Sequence, residues 1–183
     1  MSRDRCEVDG DGGDGGGGPI DTGEVSEDFQ SGNDNDSVDL DGWSNVATEG
    51  ARTWLFKEFE GNVYAQATAF NDTAPNMEAY LITPPVDFDE VTNLTFRAAV
   101  AFYTHLGLEL IYSTDFDGNP NAATWNSLDS TLPDSNSGQF EWIQSGDVDL
   151  SGISGIGVVG FRYTGSGPSG DTNSILVDDV VIN

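Results

Sequence analysis

The chain has 183 residues and a formal net charge of −26, from 32 acidic side chains against 6 basic ones. That field repels phosphate backbones and anionic membrane surfaces, so nucleic acid is excluded as an expected partner. One cysteine excludes an internal disulfide framework, and no apolar run approaches the ~18 residues of a membrane span, so no transmembrane segment is expected.

Residues 1 to about 20 are rich in glycine and aspartate and contain no aromatic side chain. Such a segment buries too little apolar surface to offset its ordering entropy, and it reads as a disordered tether. Its acidic glycine repeats lack the flanking helices and distal glutamate of an EF-hand loop. Cys6, followed by Glu-Val-Asp-Gly-Asp, has two readings: the acylated anchor of a surface lipoprotein, or a free thiol in a flexible tail. Asp4 and Arg5 are poor residues for a lipid-attachment signal, and the five residues before Cys6 carry no apolar segment.

From residue 24 onward the pattern is that of strands. Leu94, Phe96, Ala98, Val100 and Phe102 alternate at period two, which predicts a strand burying one face. Leu106, Leu108, Leu110 and Tyr112 continue the alternation after Thr104 and His105, which predicts an antiparallel hairpin. Residues 63–70, 156–163 and 174–182 are further strand candidates. Turn-forming clusters at 115–121, 133–138 and 164–173 separate them. No window longer than ten residues combines helical periodicity with capping residues. The expectation is an all-β domain over residues 24–183, a jelly-roll β-sandwich of two antiparallel sheets.

Several segments in order carry a resemblance: VSEDFQ (25–30), DGWSNV (41–46), ARTW (51–54), GNVYAQATAFND (61–72) and AYLITPPVDF (79–88). They continue with NLTFRAAV (93–100), LELIYSTDFDG (108–118), ATWNSL (123–128), DVDLSGISG (147–155), VGFRYTG (159–165) and ILVDDVVIN (175–183). Together they resemble the choice-of-anchor J domain, a relative of cleaved-adhesin and MAM-like jelly rolls on secreted and surface proteins of Gram-negative bacteria. The resemblance implies an accessory module, extracellular or on the outer cell surface, often joined to nucleases, proteases or adhesins. It also implies one structural calcium ion (Ca2+), placed among the positions matching Glu27, Asn71 and Asp178, and in some members carbohydrate binding.

The residues themselves add a reason for a cation. Asp178 and Asp179 interrupt the apolar run 175–182, so strand alternation aims one carboxylate at each sheet face. A carboxylate turned inward is costly unless it is paired or ligates a metal. Asp72 beside Asn71, and Asp28 beside Glu27, supply further oxygens of the kind calcium takes. The alternative is an exposed strand end, or pairing with Arg97 or Arg162. The loop 115–119 is calcium-like in composition but is equally ordinary turn chemistry.

Catalytic constellations are poor. His105 is the sole histidine, so no zinc triad can be built, and no nucleophile-elbow motif accompanies it. Carboxylate pairs are too abundant in so acidic a chain to carry information. The chain is therefore expected not to be an enzyme. Trp43, Trp54, Trp125 and Trp142 either stack on sugar or pack in the core or at its rim, Trp125 and Trp142 flanking a turn-rich region where packing across a hairpin is the simpler reading. Trp43, in the polar loop 41–45, is the candidate ligand-binding residue. The function expected is non-catalytic binding or adhesion, with a glycan or a surface protein as partner. The alternative is a building block of an extracellular assembly, self-associating through strand 174–182 if that strand lies at a sheet edge.

Overall fold

A computed structural model describes residues 23–183; the glycine-aspartate segment and Cys6 lie outside the described residues. Every strand pair is antiparallel and the strands form two sheets, a jelly-roll β-sandwich. In chain order the strands are β1 (Val25–Glu27), β2 (Ser44–Glu49), β3 (Leu55–Phe59), β4 (Asn62–Thr68), β5 (Met77–Ile82), β6 (Val86–Asp87) and β7 (Asn93–Ala101). They continue with β8 (Leu108–Ser113), β9 (Asn126–Ser127), β10 (Ile143–Gln144), β11 (Val148–Asp149), β12 (Ile156–Gly165) and β13 (Ser174–Ile182). The first sheet runs β10-β7-β13-β4-β3, with β1 added to β13 and β11 to β7. The second runs β2-β5-β12-β8-β9, with β6 added to β12.

The period-two patterns decide what each face buries. Leu94, Phe96, Ala98 and Val100 of β7 point into the sandwich, as do Ile175, Val177, Val180 and Ile182 of β13. They meet Leu81 of β5, Leu108 and Leu110 of β8, and Val159 and Phe161 of β12. Burying each Val, Leu, Ile or Phe among them stabilises by about 1.5–3 kcal/mol, an upper bound because the unfolded chain already hides part of that area. Tyr163 links the layers. Its hydroxyl accepts from the Ala69 N–H (3.1 Å) and donates to the Asn173 carbonyl (2.9 Å), and burial pushes its pKa up to about 12.

The alternating residues that face outward are not all polar. Tyr64, Ala99 and Leu176 form a small apolar cluster on the outside of the first sheet, covered by Trp142. Tyr80, Ile82, Ile111 and Val158 do the same on the second, covered by Trp125 and Phe116. Trp125 and Trp142 thus cap opposite outer faces and do not pack against each other. Trp54 is wholly buried, and its indole N–H donates to the Ala79 carbonyl (3.3 Å).

Three expectations are corrected here. The strands at 94–102 and 106–112 do not form a hairpin: β7 belongs to the first sheet and β8 to the second. The alternation fails at Phe102, whose φ of 55° turns the chain out of β7 and leaves its ring 62% exposed. Residues 102–107 instead cross between the layers. His105 secures the crossing, its Nε2 donating to the Thr164 carbonyl (2.6 Å) while its own carbonyl accepts from Asn173 Nδ2 (2.9 Å).

Strand 174–182 is central rather than at an edge. Its 174–177 half pairs with β4 and its 180–182 half with β1, while β7 covers the other side. Its backbone groups are already used, so it offers no template to another chain. Finally, Asp178 and Asp179 do not aim at opposite faces. A register shift between Asp178 and Val181, with φ of 50° at Asp179, brings both carboxylates to one guanidinium.

Candidate functional site

The outer face of the first sheet carries a groove of about 400 Å³. Its rims come from two turns. Phe59 and Asn62 are the last pair of the β3–β4 hairpin, closed by Glu60 (φ 53°) and Gly61 (φ 84°). Positive φ at both central positions is the two-residue turn whose twist matches paired strands. It sets Phe59 (66% exposed) and Glu60 at one end of the groove. At the other end Phe140, with φ of 58° and its N–H bonded to the Val100 carbonyl (2.9 Å), leads into Trp142 and β10. Phe140 is 50% exposed and stands edge-on to Phe102, ring centroids 5.9 Å apart.

Between these rims the floor is part apolar and part polar. Tyr64 and Leu176 lie flush, with Trp142 edge-on to Tyr64 at 5.6 Å. Arg97 of β7 stacks over the Trp142 ring, 4.7 Å from its centroid. Its guanidinium donates to Asp178 Oδ2 (2.7 Å) and to Asn62 Oδ1 (3.3 Å), and its Nε lies 2.8 Å from Asp179 Oδ2. Asn62 Nδ2 donates to the same Asp178 oxygen (2.8 Å), and the other Asp178 oxygen accepts from the Asp179 N–H (2.9 Å). Asp178 has no exposed side-chain surface. Burial holds its pKa above the ordinary carboxylate value, although the bonds from Asn62 and Arg97 pull the other way.

This network sits where β13 exchanges one neighbour for another. The end of β1 and the start of β4 meet beside Asp178, which places Glu27 near it. Of the five calcium positions expected, the fold therefore brings Glu27 near Asp178, and Asp179 follows Asp178 in β13. Asn71 and Asp72 follow the far end of β4, about 20 Å along the strand. There Asp72 pairs with Arg52 (3.3 Å). Both aspartates of β13 are already bound by Arg97, and no three His, Cys, Asp or Glu side chains converge on a metal-sized position among the described residues. The five residues do not fit one calcium ion.

Trp43 is half-buried, edge-on to Phe29 (5.7 Å), and lines a separate cleft of about 400 Å³ with Glu24, Glu27, Asp41 and Pro84. The groove residues Phe59, Glu60, Asn62 and Phe140 were not legible as a site. The Glu60-Gly61 turn was a local signal, but nothing in sequence joins it to residue 140.

No family model matches the chain, and no curated protein matches its sequence. Solved structures do match in fold. The K1 cleaved adhesin domain of Lys-gingipain from Porphyromonas gingivalis W83 is 21% identical with a TM-score of 0.60, covering 88% of this chain and 98% of that one. The K3 cleaved adhesin domain of the same protein is 22% identical with a TM-score of 0.59, covering 87% and 97%. TmCBM61, solved in complex with β-1,4-galactotriose, is 12% identical with a TM-score of 0.51, covering 86% and 94%. The chain thus shares the β-sandwich of cleaved adhesin domains and of a carbohydrate-binding module.

Proposed function

We propose that this domain is a non-catalytic glycan-binding module of the choice-of-anchor J type, working outside the cell, and that its ligand lies across the groove between Phe59 and Phe140. The observation that carries the reading is the pair of half-exposed or more exposed rings, Phe59 and Phe140, flanking a floor made of Asn62, Arg97 and Tyr64. Large rings left in water beside oriented polar groups are what a sugar needs, since its C–H face stacks on a ring while its hydroxyls find partners. A neighbour in fold that holds β-1,4-galactotriose supports it. The lone histidine is engaged in backbone hydrogen bonding at the sheet crossing, which favours binding over catalysis.

The test is a glycan array with wild type, Phe59→Ala, Phe140→Ala and Trp43→Ala. Both groove phenylalanines are exposed, so their truncation is expected to leave the fold intact, and each is expected to weaken binding by about two- to tenfold, a loss of one stacking contact. Loss in Trp43→Ala alone would move the site to the cleft beside β1.

A further inference from the structure

The glycan reading leaves the class of sugar open, and the charges of the groove narrow it. Among the described residues Arg97 is the one cation lining it, and that charge is already matched by Asp178 (2.7 Å) and Asp179 (2.8 Å). One face of the guanidinium is covered by Trp142. Lys57, on the neighbouring edge strand, is held by Asp34 (2.8 Å) and by Asn35 Oδ1 (2.8 Å). Asn62 is engaged at both ends of its amide: Nδ2 on Asp178, Oδ1 accepting from Arg97 and from Gln30 Nε2 (3.3 Å). The exposed charged group at the rim is an acceptor, Glu60. Among the described residues the groove therefore sets one cation, already paired with two aspartates, beside the unpaired charge of Glu60, inside a molecule of net charge −26.

Resting on the glycan reading, we infer that the groove selects uncharged oligosaccharides and rejects uronate-, sialate- or sulfate-bearing ones. A neutral chain donates hydroxyl protons to Glu60 and stacks on Phe59 and Phe140. An anionic chain has to leave water for a site where no described residue offers an unmatched cation, facing like charge. The site also suits a chain rather than a single ring. It crosses the sheet from β10 to β3, four strand spacings or roughly 19 Å.

The experiment is an array carrying neutral, uronate, sialylated and sulfated oligosaccharides at low ionic strength, where surface charge is least screened. The best neutral binder is then titrated beside its carboxylated analogue, with wild type, Phe59→Ala and Glu60→Lys. The result expected is retention of neutral chains, loss in Phe59→Ala, and binding of the anionic analogue weaker by about tenfold or more. Glu60→Lys, at an exposed turn, is expected to narrow that gap. Anionic chains bound as tightly as neutral ones, and lost in Phe59→Ala, would overturn the charge selection while leaving the glycan reading in place. An unchanged gap in Glu60→Lys would also overturn it. No retention of any glycan would overturn the glycan reading, and the selection with it.

Discussion

Glu27, at the end of β1, is half-buried and accepts a hydrogen bond from the Phe29 N–H (2.6 Å). Burial raises its pKa above 4.5 and the negative charges of Asp28 and Asp178 add to that, against the pull of the Phe29 bond. A carboxyl whose folded-state pKa is raised contributes stability that is complete below 4.5 and lost as pH rises through the folded value. Glu27→Gln keeps the acceptor and removes the charge. Its melting temperature is therefore expected to exceed that of wild type near pH 7, the difference closing as pH falls below 4.5. A lower melting temperature at neutral pH would mean that the carboxylate has a cationic partner after all.

One ion-pair network spans β7 and β13 at the bulge. Asp178 is buried and Arg97 is 24% exposed, so the bonds between them are shielded from water. Removing the guanidinium strands Asp178, and Arg97→Met is expected to cost about 3 kcal/mol by chemical denaturation. Asp178→Asn in the same chain is expected to return much of that loss, because no buried charge is then left. A double-mutant cycle measures the coupling, and additive single effects would mean that the two strands are held by their backbone and core contacts alone. The same network fixes the Trp142 ring through Arg97, so the bulge that stabilises the sheet also shapes the groove floor.

For the whole molecule, 32 acidic groups confront 6 basic ones, several of which are paired at the surface. Compact folding holds these charges closer together than in the unfolded chain, and self-repulsion opposes it. Raising ionic strength shortens the Debye length from ~30 Å at 0.01 M to ~3 Å at 1 M. The melting temperature is expected to rise with sodium chloride over that range. A flat or falling response would show that the fold spaces its carboxylates widely enough for repulsion not to matter. The edges of both sheets also bear on association. β9, β10 and β11 are two residues each, and β3 carries Lys57 and Glu58, which blunts pairing with another chain.

Alternation with period two is a local property, and it was enough to give the all-β class and the inward rows of β4, β7, β12 and β13. Charge was equally legible, since it is a sum over residues. The resemblance carried in order along 24–183 agreed with the sandwich of the cleaved adhesin domains. Partnership between strands was not legible. Whether 94–101 pairs with 108–113 depends on a left-handed residue at Phe102 and on where two separate sheets find their cores. The pairing of Arg97 with both Asp178 and Asp179 follows from a register shift, and only the pairing of β13 with β7 and the exchange of β4 for β1 produces it. The groove brings residues 59–64, 97, 140–142 and 176 onto one face. Composition and spacing fix which residues can face outward; only the tertiary packing of distant strands decides which outward residues become neighbours.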